Sequence, residues 1–177
     1  APAAPTTDPA AVMERLSAYA GDFQFLDAAR YLKSLPADPL GAKRVSLIAV
    51  AESSTVFLAD IEEDLRKGAV SAELPMKSGD VMQKIAIDPD GKIVTTDSAG
   101  KTAIRSWNEF SPDALIALHR ILVKNPKSEL ERLRRHQCAI AFDWLAGNRE
   151  RALTAAALLG QGSAGFKQQW ESIAGGL

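Results

Sequence analysis

Ile85-Ala86-Ile87-Asp88-Pro89-Asp90-Gly91-Lys92-Ile93-Val94-Thr95-Thr96-Asp97-Ser98-Ala99-Gly100 decides how the rest of the chain is read. Asp88-Pro89-Asp90-Gly91 joins the fixed φ of proline to the positive φ open to glycine, which is hairpin chemistry. Met82 to Ile87 alternates before it, and Lys92 to Thr96 is β-branched after it, as strands prefer. Asp97-Ser98-Ala99-Gly100 turns again. Lys101 to Trp107 then returns with Ala103, Arg105 and Trp107 on one side and Thr102, Ile104 and Ser106 on the other. Short runs joined by short turns predict a three-stranded antiparallel meander. Ala72 to Met76 is the candidate fourth strand, with Pro75 marking an edge or an end.

On both sides of this stretch the apolar period changes from that of a strand to that of a helix. Upstream, Thr7-Asp8-Pro9 sets a capping oxygen before proline at the first helical position. Val12, Leu16 and Tyr19 share a face of the helix that follows. Gly21 interrupts, Asp22 is placed to cap the next helix, and Phe23, Leu26, Ala29, Tyr31 and Leu32 carry that helix to Leu35-Pro36. Asp38-Pro39 repeats the cap-then-proline signal ahead of a long helix ending at Arg66-Lys67-Gly68. Its Ser-rich and β-branched centre, Ala51 to Val56, is the weak point. Downstream, Ser111-Pro112-Asp113 starts a helix that ends at Asn125-Pro126. Ser128 and Glu131 have capping-box spacing. Gly147-Asn148 and Gly160-Gln161-Gly162 divide the remainder, and Ser163 is placed to cap a last helix bearing Phe166, Trp170 and Ile173. The expected fold is α+β and mostly helical. Its parts are a linker at 1–7, a helical segment at 8–68, a β-meander insert at 69–110 and a helical segment at 111–177, together forming one compact domain.

The 177 residues are 46% apolar and 24% charged, enough to form a core without metal or disulfide staples. With 21 basic and 22 acidic residues the net charge is −1, which supplies no long-range field toward nucleic acid or an anionic membrane. A single cysteine, Cys138, excludes an intramolecular disulfide. Apolar runs fall short of the roughly 20 residues that span a bilayer, so no direct membrane insertion is expected. Ala1 to Thr7, APAAPTT, reads as an extended tether to a removed export signal or to an upstream domain. An extracytoplasmic location, periplasmic or exported, is favoured on that ground.

No GxxxxGK[ST], GxSxG or HExxH occurs. His119 and His136 could be grouped with Cys138 and Asp143 as metal ligands. However, His136 and Cys138 are two apart on a helix and diverge, and His119 shares its face with Leu115 and Leu122 as a core-edge residue would. Cys138 reads as a small buried hydrophobe rather than a nucleophile. Glu62-Glu63-Asp64 lacks a calcium-loop pattern and reads as a solvated helix face. Arg132, Arg134 and Arg135, with Arg120, Lys124 and Lys127 upstream, form the most basic stretch. Glu129 and Glu131 dilute it and no aromatic platform is interleaved, so nucleic acid is not the expected partner. Trp107 has two readings: an aromatic recognition anchor, or a plug joining sheet to helix. Catalytic residues, cofactor-binding residues, metal ligands and a cofactor are all expected to be absent. The candidate interaction anchors are Trp107, Arg132 and Arg135.

Ala139 to Leu159, AIAFDWLAGNRERALTAAALL, resembles a tetratricopeptide-type helical hairpin, with aromatic and small residues, a Gly-containing turn and an Ala-led second helix. Gly21 to Leu35, GDFQFLDAARYLKSL, resembles the stretch around such a turn. The 34-residue period is not sustained, so no full repeat array is expected. The order of helices, a hairpin-rich stretch ending in Trp107-Asn108-Glu109-Phe110-Ser111-Pro112, then helices again, resembles accessory regions of large multidomain bacterial surface or signalling proteins. The resemblance implies a non-catalytic module for protein–protein interaction or scaffolding, whose partner is another protein or another domain of the same polypeptide. The alternative is a small-ligand or sensory domain with the sheet face as its site, and an enzyme of unfamiliar type stands third. A deep pocket with convergent Arg, His or carboxylate groups favours the ligand reading; a shallow apolar groove favours the partner reading.

Overall fold

A computed structural model describes residues 8–36, 40–124 and 127–174. Asp8 accepts from Ala10 N at 3.2 Å and caps α1 (Pro9–Gly21), with proline at the first helical position. The Thr7 and Asp38-Pro39 signals and the Asn125-Pro126 stop lie outside the described residues. α2 spans Phe25–Ser34 and starts two residues later than expected, without a side-chain cap. Asp22 closes α1 instead of capping α2, and Phe23 takes φ 56°. That conformation costs a bulky residue about 1–2 kcal/mol. It leaves the Phe23 ring stacked on Phe25 at 5.7 Å and edge-on to Phe142 at 5.3 Å, contacts that offset the cost.

α3 (Ala42–Lys67) runs unbroken through its Ser-rich centre. Ser54 Oγ donates to Val50 O at 2.8 Å and Thr55 Oγ1 to Ala51 O at 3.2 Å, so these hydroxyls bond back into the helix rather than competing with it. β1 (Val70–Pro75), β2 (Val81–Ile87), β3 (Ile93–Asp97) and β4 (Thr102–Arg105) form an antiparallel meander in the order β1-β2-β3-β4. The candidate fourth strand is real, and irregular register separates Ser71 from Leu74 and Met82 from Lys84. Both later hairpins share one turn, Asp-x-x-Gly-Lys. Asp88 Oδ1 accepts from Lys92 N at 2.8 Å, and Asp97 Oδ1 accepts from Lys101 N and Ala99 N, each at 2.9 Å. Gly91 and Gly100 each take φ 80°, which an L side chain rarely adopts.

The strand expected to reach Trp107 stops at Arg105. Trp107–Glu109 is a 3-10 turn closed by a capping box between Ser106 and Glu109, so local capping outweighs the alternation of the sequence. Ser111 accepts from Ala114 N at 3.1 Å and caps α4 (Pro112–Leu122), again with proline at its start. α5 (Glu129–Leu145), α6 (Arg149–Gly160) and α7 (Ala164–Ala174) follow. The expected box at Ser128 is half formed. Ser128 Oγ accepts from Glu131 N at 3.1 Å, but Glu131 reaches back to Lys127 N.

The architecture is α+β and mostly helical, with helices before and after a four-stranded antiparallel sheet. The chain divides into two compact units, one of Ala1–Val56 with His136–Leu177 and one of Phe57–Arg135, so the boundaries fall within α3 and α5. In the first, Val12, Leu16, Leu32, Val50, Trp144, Ala152, Ala156 and Trp170 belong to one core. In the second, the buried side chains include Phe57, Ile61, Leu65, Leu74, Ile85, Phe110 and Leu115, and α4 lies against β1.

Candidate functional site

Trp107 is half-buried, its ring 5.8 Å from that of the fully buried Phe110. Around it the sheet is bonded to the start of α4. Glu109 accepts from Ser106 N at 2.6 Å through Oε2 and from Arg105 Nη1 at 3.0 Å through Oε1. Lys77 N donates to Glu109 O and Ser111 N to Pro75 O, while Phe110 bridges to Met76. The backbone N–H of Ser106, with lesser help from Arg105, holds the Glu109 carboxyl below the ordinary glutamate range.

Arg132 and Arg135, one turn apart on α5, have opposite fates. Arg132 is exposed and pairs with Glu129. Arg135 is buried, its side chain only 7% exposed, and donates to Asp64 at 2.5 Å with Glu131 at 3.3 Å. Asp64 also accepts from Lys67 at 2.8 Å, and Arg134 forms a two-pronged pair with Asp60 at 2.9 Å on each arm. Glu62-Glu63-Asp64 is therefore not simply a solvated face. Glu62 and Glu63 pair along α3 with Arg66 and Lys67, whereas Asp64 faces α5. Burial alone would push the Asp64 carboxyl up, but hydrogen bonds from Arg135 and Lys67 outweigh it and hold the group below its ordinary 3.8. A folded-state value below the unfolded one stabilises the protein above the unfolded value, and that contribution is lost as pH falls through the folded one. Unfolding free energy is thus expected to decline on acidification from about pH 5 toward pH 2. Asp64→Asn should flatten that decline in urea titrations across this range; an unchanged slope would show that other carboxylates carry it.

The histidines and the cysteine do not assemble. His119 is buried with its ring 5.6 Å from Phe57 in the sheet-bearing unit, while His136, Cys138 and Asp143 belong to the helical one. Asp143 accepts from Arg151 Nε at 2.6 Å and from Asn148 Nδ2 at 2.9 Å, which fastens the α5–α6 turn. Among the described residues no group of three or more His, Cys, Asp or Glu is placed to hold a metal ion. Among the same residues no helix is long and apolar enough to cross a membrane. Gly160-Gln161-Gly162-Ser163-Ala164-Gly165 matches the spelling of a dinucleotide fingerprint. It connects α6 to α7, whereas that fingerprint needs a strand before its helix.

Among the described residues, a candidate surface lies in each unit. On the α6–α7 hairpin, Leu153, Ala156, Ala157 and Gly160 repeat at helical spacing and line an apolar groove of about 270 Å³ with Trp170 and the Lys167 and Glu171 side chains. On the far side of α6, Thr154, Ala155 and Leu158 border a second recess. Leu158 is 65% exposed and Leu153 38%. In the sheet-bearing unit a polar cleft of about 510 Å³ opens between the start of β2 and the β3–β4 hairpin, bordered by Asp80, Gln83, Asp97, Lys101 and Arg105. Neither surface includes Trp107, Arg132 or Arg135. Comparison with known protein families, with curated proteins and with solved structures returns no match for this chain.

Proposed function

We propose that this chain is a non-catalytic interaction module whose α6–α7 hairpin receives an amphipathic helix from a partner protein or from another domain of the same polypeptide. One observation carries the reading. From Ala152 to Leu159 every residue of α6 except Thr154 is apolar, yet the unit buries only the side bearing Ala152, Ala156 and Gly160. A helix apolar on all sides is ordinarily covered on all sides. Small residues at Ala156, Ala157 and Gly160 keep the groove floor close to the α6 backbone, where a second helix can seat its larger side chains. The burial of His119 and Cys138 keeps these two groups away from a substrate, which supports a non-catalytic role, while His136 is half-buried.

Magnitudes limit the affinity. Covering one leucine yields about 1.5–3 kcal/mol. Free association costs an estimated 4–15 kcal/mol in lost motion. Leu153, the one leucine in the groove, does not overcome that for a dilute partner, so the helix must act at high local concentration, through a tether or a shared assembly. An isolated 14-residue peptide with a Leu/Ala stripe is expected to bind no tighter than about 1 mM. Amide and indole shifts should move at Leu153, Ala157 and Trp170. Leu153→Lys should abolish them without loss of fold, and Leu158→Lys, on the far side of α6, should leave them in place. Shifts scattered elsewhere, or binding unaffected by Leu153→Lys, would sink the reading.

A further inference from the structure

We propose that the cleft between β2 and the β3–β4 hairpin binds a small zwitterionic ligand of the amino-acid or dipeptide class. The site belongs to the sheet-bearing unit and does not depend on the α6–α7 groove. Directly paired residues of an antiparallel sheet lie on one face. Met82 pairs with Asp97, Ile85 with Thr95 and Thr95 with Ala103, while Arg105 pairs with Ile93. Met82, Asp97, Ala103 and Arg105 therefore share the face on which Ile85 and Thr95 are fully buried, and at this end of the sheet that face opens into the cleft. The bordering charges are two carboxylates, Asp80 and Asp97, and two cations, Lys101 and Arg105.

Several of these groups have hydrogen-bonding capacity left. Asp97 uses Oδ1 for the Ser98-Ala99-Gly100 turn, and Oδ2 has no partner among the described residues. Neither the Lys101 ammonium nor the Gln83 amide bonds to any described residue. Arg105 gives Nη1 to Glu109, while its buried Nε has no hydrogen-bond partner. Half-buried polar groups are normally matched, so the unmatched atoms of Asp97 and Gln83 at the edge of a cavity mark a place for a polar guest, while the exposed Lys101 and Asp80 add charge at its rim. A phosphate fits poorly, because Asp80 and Asp97 would repel it. A simple cation would meet Lys101 and Arg105. A guest with both signs satisfies both pairs: its carboxylate faces Lys101 and Arg105, and its ammonium faces Asp97 and Asp80. Met82 and Ala103 supply an apolar floor for a short side chain.

The test uses the full 177-residue chain and alanyl-alanine as probe, followed by amide shifts at Gln83, Ser98, Lys101 and Ala103. Saturable shifts confined to these residues are expected. Asp97→Asn keeps an oxygen for the turn bonds but removes the charge, and Lys101→Met removes the cation. Each should weaken binding at least tenfold with the remaining spectrum unchanged. Acetate, methylamine and inorganic phosphate serve as single-charge probes and should each bind at least tenfold more weakly. Equal binding of any one of them, equal binding by either variant, or the absence of saturable shifts at the cleft would overturn the proposal.

Discussion

Arg135→Ala is expected to destabilise the sheet-bearing unit by about 1.5–3 kcal/mol, because Asp64 keeps its bond from Lys67 but loses the buried charged donor that faces it from α5. Asp64, its partner, has a side chain only 14% exposed, so the lost donor is not replaced by bulk water. Arg134 and Asp60 form the better-shaped pair, but the Arg134 side chain is 43% exposed, and such pairs are worth about 0–1 kcal/mol. Arg132→Ala, at an exposed position on the same helix, should stay within about 0.5 kcal/mol of wild type. Urea unfolding of Arg135→Ala, Arg134→Ala and Arg132→Ala orders them. A loss below about 1 kcal/mol for Arg135→Ala would mean that the pair behaves as a surface pair. A double-mutant cycle with Asp64→Asn should return a coupling above about 1 kcal/mol.

The second large effect lies in the helical unit. Phe142→Ala should cost about 3–5 kcal/mol, the range for removing a buried phenyl ring and leaving its cavity. Phe142 is fully buried, with its ring 5.3 Å from Phe23 and 5.6 Å from Phe25, edge-on to both. The substitution also removes a contact that holds Phe23 at its positive φ. Amide exchange should therefore accelerate first around the α1–α2 turn, ahead of the rest of the unit. Phe142→Leu, which keeps most of the volume, should recover more than half of the loss. Exchange that is unchanged at the turn would show that Phe23 keeps its conformation without the ring.

Much of the architecture was legible because its signals are local. Proline-led caps at Asp8 and Ser111 mark helix starts, and a capping oxygen bonds an amide two or three residues away, within reach of sequence alone. The Asp-x-x-Gly-Lys turns are equally local: side chain, positive-φ glycine and returning amide lie within five residues. Errors arose where a local rule met a competitor. Alternation carried the last strand to Trp107, but the Ser106–Glu109 box takes those residues into a 3-10 turn. Asp22 looked like a cap, yet the aromatic contacts of Phe23 set how the chain enters α2. Ser54 and Thr55 looked disruptive, but their hydroxyls are satisfied within α3.

The candidate surfaces were less legible than the elements. The sequence marked Trp107, Arg132 and Arg135 as anchors because large aromatics and basic runs stand out in one dimension. Arg135 turns inward, since Asp64 lies 71 residues away in the chain and spacing on α5 cannot reveal it. The α6 stripes were visible as a small-residue helix, but which side stays uncovered depends on where α7 lies. Asp97 was read only as a turn residue and Lys101 only as the start of a strand; strand register places them beside Gln83 and Arg105.

By itself the sequence determined the elements of this protein: helices at both ends, two Asp-x-x-Gly-Lys hairpins between them, and an α+β class. Hydrogen bonds within a few residues encode these features. Only the tertiary structure decided which charges are buried, which apolar faces stay open and which polar groups are left unmatched. Those properties depend on neighbours distant in the chain, and burial and pairing set their energies.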